Sequence, residues 1–333
     1  MSIFKKNGYL CAQKAMCMQK NHLIIAFLMT VFAINSVCAQ DELVLTPSWT
    51  AQAQFAGFYV ADAMGFYKEA GLNVVIKHPS TSNPGINRLK KGESQFVVFH
   101  LPSALEAISK GDSLVNVLQH FQQSALMVIS RHPLKGFESL DGKRVGRYRT
   151  GLSLLPMAVG QKYKLNIEWI PFIEPNNLYI SGAIDATLSM SYNEFYQFKM
   201  SGQRLNKDHL LYMRDIGYNL PEDGLYVTRA FYRKNKTQVE KFVQASRKGW
   251  EWAVAHPKET VDIVMLYVRQ NGVSSDTAAQ QWMLEECLRL LVNPKTGKRT
   301  YRLEPQILDQ TNRILCEGGI LSHPVSYSQI TTP

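Results

Sequence analysis

The chain is poor in the residues that build disulfide frameworks and metal centres. Of five cysteines in 333 residues, Cys11 and Cys17 precede an N-terminal apolar run and Cys38 directly follows it, which leaves Cys287 and Cys316 for the body of the chain. There is no C-x-x-C pair, no pair of histidines at helical metal-ligand spacing, no G-x-S-x-G and no P-loop. Nothing in this motif set calls for an enzyme, a cofactor or a bound metal. Long uncharged apolar runs are also scarce, with only Leu23–Val37 standing out, and tandem repeats and low-complexity stretches are missing. At 45% hydrophobic and 11% aromatic residues, the composition excludes a disordered or collagen-like chain. At roughly 150 residues per domain the length suggests about two folding units, large enough to bury cores without disulfides.

The Leu23–Val37 run follows Lys20 and ends in Val37-Cys38-Ala39, with small residues where a signal peptidase reads. The expectation is a secretory signal over residues 1–39, cleaved after Ala39, and a periplasmic mature chain. A membrane anchor and a lipid-bearing Cys38 are the competing readings. The run is short for a span, and Val37 and Asn35 suit a lipoprotein signal poorly. Met16 and Met18 are alternative starts.

Charge needs the same division. The chain carries 37 Lys and Arg against 27 Asp and Glu, a formal +10, but Lys5, Lys6, Lys14 and Lys20 precede the cut with no acid among them. The mature chain therefore has 33 basic against 27 acidic residues, a net +6. Arg88, Lys90 and Lys91, like the scattered Lys295–Arg302 residues, read as a solvated face, and nucleic acid is not expected as a partner.

From Glu42 onward, short β runs alternate with amphipathic stretches. Leu43–Leu45, Asn73–Ile76, Phe96–Phe99, Leu126–Ile129, Arg144–Gly146, Ile167–Pro171, Ala183–Ser189 and Gly224–Val227 read as strands. Helices are expected over Phe55–Ala70, 84–91, 102–110, Leu152–Tyr163 and Asn176–Ser181. Thr237 and Glu240 read as a capping box opening a helix that buries Val239, Phe242, Val243, Ser246, Trp250 and Ala253. This alternation argues for α/β architecture with largely parallel sheets. Cys287 and Cys316 lie in helix-like apolar settings and could pair or stay as two buried free thiols.

Several segments together resemble one family. They are Ser48-Trp49-Thr50 through Phe55-Ala56-Gly57-Phe58-Tyr59-Val60-Ala61, Gly65–Leu72, the Gly92–Phe96 turn, Leu140–Gly146, and Gly249-Trp250-Glu251-Trp252-Ala253 with His256-Pro257. The chain is similar to substrate-binding proteins of the thiamine-pyrimidine-precursor group, relatives of nitrate, sulfonate and taurine binders and of fungal thiamine pyrimidine synthases. The resemblance implies a type II periplasmic binding protein: two α/β lobes joined by two crossing strands, with a ligand cleft between them. Ala125–Ser130 and Gly224–Thr228 are the candidate crossings, which places 40–128 and 228–333 in one lobe and 129–227 in the other. The implied role is capture of a small heteroaromatic ligand, a thiamine pyrimidine precursor, by a monomer that feeds an inner-membrane ABC permease.

The candidate ligand residues follow from the same comparison. Trp49, with Gln54 nearby, occupies the place of an aromatic platform for a pyrimidine ring, or else plugs a lobe edge. Tyr192, Asn193 and Glu194 match a Tyr–Asn–Tyr–Glu-type segment facing the ligand from the other lobe; Glu194 also suits a helix start. Ser82 and Asn83, and Arg147 and Arg149, lie ahead of helices where an anionic group could bind, although capping explains the first pair equally well. His100 ends a strand and could line the cleft or sit in the core. A sensor acting with a membrane kinase or cyclase is the runner-up, since Met190–Glu194 and Pro221-Glu222-Asp223-Gly224 also resemble receptor binding domains. Synthase chemistry is disfavoured: Phe55 stands near the donor histidine's place, and Tyr218–Tyr232 has no cysteine.

Overall fold

The computed structural model describes residues 41–80, 82–172 and 175–332; the expected leader and its cleavage site lie outside the described residues. Ten strands form two five-stranded sheets. The first contains β1 (Glu42–Thr46), β2 (Asn73–Ile76), β3 (Phe96–His100), β4 (Leu114–Leu118) and a late strand, β10 (Asp223–Thr228), in the order β2-β1-β3-β10-β4. The second contains β5 (Leu126–Ser130), β6 (Arg144–Tyr148), β7 (Glu168–Phe172), β8 (Ala186–Met190) and β9 (Leu210–Tyr212), in the order β7-β6-β8-β5-β9. In each sheet three parallel strands meet one antiparallel strand that has just arrived from the other half: β10 against β3 and β4, and β5 against β8 and β9.

The α/β class expected from the alternation is the observed one, but the sheets are not largely parallel: two of the four pairings in each are antiparallel, because each sheet takes in a strand arriving from the other half. Runs rich in apolar and β-branched residues give β1, β2, β3 and β5, since such residues fit a pleated buried surface, and Gly71 and Gly92 turn the chain ahead of β2 and β3. Two strands carry no mark in the pattern. Leu114–Leu118 has a polar Asn116, buried against Gln119, in the middle of its apolar run, and Leu210–Tyr212 is only three residues long.

Helices depart from expectation at two places. The stretch expected to be one helix from Phe55 to Ala70 is a 3-10 turn, Ala53–Phe55, followed by helices Ala56–Ala63 and Phe66–Glu69, broken where Gly65 takes φ 74°. The Thr237–Glu240 capping box does not form. The helix Lys236–Ala255 begins one residue before Thr237, with Asn235 as its cap, so the Thr237 side chain lies inside the first turn.

That long helix packs on Ala56–Ala63. Trp250 is fully buried, edge-on to Phe58 at 5.9 Å and stacked on His120 at 5.4 Å. The helices touch through glycines: a Cβ on Gly249 would lie 2.0 Å from the Gly57 carbonyl oxygen. Cys287 is buried, Cys316 is half-buried, and both are free. The helix Pro305–Glu317 lies against the second half, where Glu317 pairs with Lys162 at 3.0 Å and a Cβ on Gly318 would meet Ala158 at 2.3 Å. Among the described residues no helix is long and apolar enough to cross a membrane.

Candidate functional site

The chain passes between the sheets twice, from Leu118 to Leu126 and from Tyr212 to Asp223, and several buried polar side chains, Gln119, His120, Gln122, Ser124, Glu222 and Asp223, lie on these passages. Glu222 ends the second passage. Its Oε1 accepts hydrogen bonds from Ser124 Oγ at 2.8 Å and from the backbone N–H groups of Ala125 at 2.9 Å and Leu126 at 3.1 Å. Its Oε2 is buried without a partner. Burial pushes this carboxyl up to about 8, against the pull of the Ser124 hydrogen bond.

Asp223, the next residue, opens β10 directly opposite His100 at the end of β3. Its Oδ2 accepts from Gln54 Nε2 at 2.6 Å and from Ser48 Oγ at 3.4 Å. Burial raises it to about 6, and the Gln54 and Ser48 donors hold it below where burial alone would take it. Gln52 donates to Gln54 Oε1, so the two amides form one buried chain ending on Asp223. The 3-10 turn aims Gln54 inward because the Ala53 N–H is fixed by Gln280 Oε1 at 2.7 Å. His100 is buried with neither ring nitrogen partnered, and burial lowers it to about 3, so it is neutral.

The second half contributes aromatic hydroxyls and a third carboxylate. Tyr192 is buried and its hydroxyl is pushed well up, first by burial and then by the charges of Asp223 and Glu222, which places it within electrostatic reach of both. Tyr148 at the end of β6 is raised by burial and next by Glu194. Glu194 is buried; its Oε2 accepts from the Met190 N–H at 2.9 Å and its Oε1 from Asn193 Nδ2 at 3.3 Å. The two halves are in contact, since a Cβ on Gly151 would sit 1.8 Å from Ser103 Oγ.

Of the residues singled out in the sequence, Gln54, His100, Tyr192, Asn193 and Glu194 come together here. Trp49, next in sequence to Ser48, is 44% exposed, its carbonyl accepting from His78 Nδ1 at 2.7 Å while His78 Nε2 meets the Tyr59 hydroxyl at 3.0 Å. Ser82 is exposed against Ser80, and Asn83 donates to Glu93 at 2.9 Å, so this loop spends its polar groups on itself. Alternation along β6 puts the half-buried Arg147 on the opposite face from Tyr148, where Nη1 donates to the Tyr148 carbonyl at 3.2 Å. Arg149 is exposed.

Sequence reasoning does not place Glu222, Asp223, Ser124 or Tyr148 among its candidate ligand residues, although the structure brings them to this cluster. Two adjacent acids running straight into an apolar strand were the available signal, because paired carboxyls are rarely fully buried without a task. The cluster offers carboxyl and amide oxygens and tyrosine rings. Such a lining can accept hydrogen bonds from a flat donor-bearing ring and stack on it.

Known proteins share this architecture. The chain is 25% identical over 315 residues to the riboflavin-binding protein RibY of Chloroflexus aurantiacus, covering 90% of this chain and 87% of that one. It is 23% identical over 259 residues to the formylaminopyrimidine-binding protein of Halalkalibacterium halodurans, covering 73% and 77%. In structure it is similar to the periplasmic aliphatic sulphonate binding protein SsuA of Escherichia coli, with a TM-score of 0.65 at 10% identity over 89% of this chain and 93% of that one. The fold is thus that of periplasmic binding proteins. Residues 52–260 match the family described as NMT1/THI5 like, and the chain belongs to that family.

Proposed function

We propose that this chain is a solute-binding protein that captures a small nitrogen heteroaromatic bearing hydrogen-bond donors, with an aminopyrimidine precursor of thiamine as the first candidate, for an ABC-type importer. One observation carries the reading: Asp223, Glu222 and Glu194 are buried with Tyr148 and Tyr192 where the two halves meet. Burying a carboxyl costs several kcal/mol unless partners meet it, and Glu222 Oε2 is buried without one. Protonated on Oε2, Glu222 can donate to a ring nitrogen of the ligand, and the ionised Asp223 can accept from its amino group. A sulfonate would face the Asp223 charge instead. The named relatives bind a flavin and a formylaminopyrimidine, both containing a pyrimidine ring, which supports this class and a binding protein rather than an enzyme. Periplasmic location after removal of residues 1–39 belongs to the same proposal, and so does a hinge at the two passages.

The test is a thermal-shift panel on residues 40–333 with aminopyrimidines, riboflavin and alkanesulfonates, followed by calorimetric titration. Stabilisation by an aminopyrimidine and none by a sulfonate is expected. A clear shift from a sulfonate with none from any pyrimidine or flavin would sink the proposed chemistry. Trp49→Ala should weaken binding of the stabilising pyrimidine by at least about 1 kcal/mol if the indole stacks on it, and unchanged affinity would make Trp49 an edge plug.

A further inference from the structure

The helix Thr277–Leu290 touches both sides of the candidate site. Its buried face, with Met283, Leu284, Cys287 and Leu290, belongs to the first half, and its Gln280 fixes the Ala53 N–H beside Gln52 and Gln54. One turn apart, Trp282 and Glu286 reach the second half. Trp282 Nε1 donates to the Ser191 carbonyl at 3.0 Å, and Ser191 Oγ donates to Glu286 Oε2 at 3.1 Å. The other Glu286 oxygen is held by Arg289, which keeps the carboxylate oriented. The indole lies 5.6 Å from the Tyr196 ring, and the Lys199 ammonium sits 4.3 Å above it. Ser191 begins the turn that carries Tyr192 and Glu194.

We propose that Trp282 and Glu286 form a latch: as positioning residues they hold the Ser191–Glu194 turn against the first half and keep the halves together without help from a ligand. Both hydrogen bonds to the second half end on Ser191, one at its carbonyl and one at its hydroxyl, so they fix the turn in position and in rotation. Trp282 is only half-buried, and a cavity of about 440 Å³ lined by Phe195, Tyr212, Arg214 and Glu286 adjoins it. The ring can leave Ser191 through that space with the core undisturbed, as a releasable contact requires. The purpose of the latch rests on the ligand-site reading, but its existence does not.

The test therefore uses no ligand. Residues 40–333, with Cys316→Ser, are spin-labelled at Lys68→Cys in the first half and Lys207→Cys in the second, and distances are compared with backbone hydrogen exchange at 191–194. The wild type should show a dominant short-distance population. Trp282→Ala and Glu286→Gln should each move it to longer distances and speed exchange at 191–194 at least about tenfold, leaving β1, β3 and β8 protected. Trp282→Phe, which keeps a ring without the N–H, should fall between. Ser191→Ala should reproduce Glu286→Gln, with no added effect in the double variant. A wild type lacking the short population, variants that leave it unchanged, or additive Ser191→Ala and Glu286→Gln effects would each overturn the proposal. Loss of pyrimidine binding with an intact short population would count against the ligand assignment and not against the latch.

Discussion

Glu222 and Asp223 are neighbours in sequence, yet they can do different chemical work. Glu222 spends Oε1 on three donors from the first passage, so the proton that burial keeps on this carboxyl up to about pH 8 belongs on the unpartnered Oε2, where it makes a donor. Asp223, raised only to about 6, is ionised at neutral pH and accepts. The linkage has a definite sign. A carboxyl whose folded value lies above its ordinary 4.5 binds more protons when folded, so its stabilising contribution is complete below about pH 4.5 and is lost as pH rises through about 8. Asp223 adds the same trend between its ordinary 3.8 and about 6. Unfolding free energy from urea titrations should therefore fall across pH 6 to 8 at up to about 1.4 kcal/mol per pH unit for the Glu222 proton. Glu222→Gln should flatten that fall, and a slope that survives the substitution would remove Glu222 as its source. Asp223→Asn keeps an oxygen for Gln54 but removes the charge; an aminopyrimidine bound by the wild type should lose about 1.5 to 3 kcal/mol in calorimetry. Equal affinity would place its amino group elsewhere.

The elements that support these carboxyls depend on one close helix contact. Because the Gly57 carbonyl is backbone and would stand 2.0 Å from a Cβ on Gly249, Gly249→Ala cannot be absorbed by a side-chain rotation. The helices must separate, and overpacking of this kind costs about 1 to 3 kcal/mol, to be read as a lower urea midpoint with unchanged slope. Gly249 and Trp250 were already conspicuous in the sequence, and so were β1, β2, β3 and β5, because local composition marks them. Leu114–Leu118 is not marked, since the polar Asn116 breaks its apolar run and is satisfied only by the fold, through Gln119. Legibility of the site divides in the same way. Trp49, Tyr192 and Glu194 stand in local segments that resemble a family pattern. The roles of Glu222 and Asp223 come from partners near residues 124 and 54, about 100 and 170 positions away, which no local pattern encodes. The Ser82–Asn83 loop has the composition of an anion cradle, but its geometry turns those groups on its own neighbours.

At the scale of the whole molecule, closure depends on how near two surfaces can come. The turn Gly151–Ser153, just after β6, lies on the helix Leu101–Ser109 that follows His100. A Cβ on Gly151 would meet Ser103 Oγ at 1.8 Å and Ser103 Cβ at 2.9 Å. Rotating the serine hydroxyl away relieves the first clash and leaves the second, so any branched side chain at 151 is a wedge between the halves. The wedge bears on closure and not on either sheet, because Gly151 lies outside the strands of both. Gly151→Val should shift the label distances to longer values and abolish stabilisation by an aminopyrimidine, while unfolding without ligand changes little. Ser103→Gly, which removes both offending atoms, should restore the short distances in the Gly151→Val background. Wild-type distances in Gly151→Val alone would show that the halves meet some other way, and failure of Ser103→Gly to rescue would put the obstruction elsewhere than at this contact.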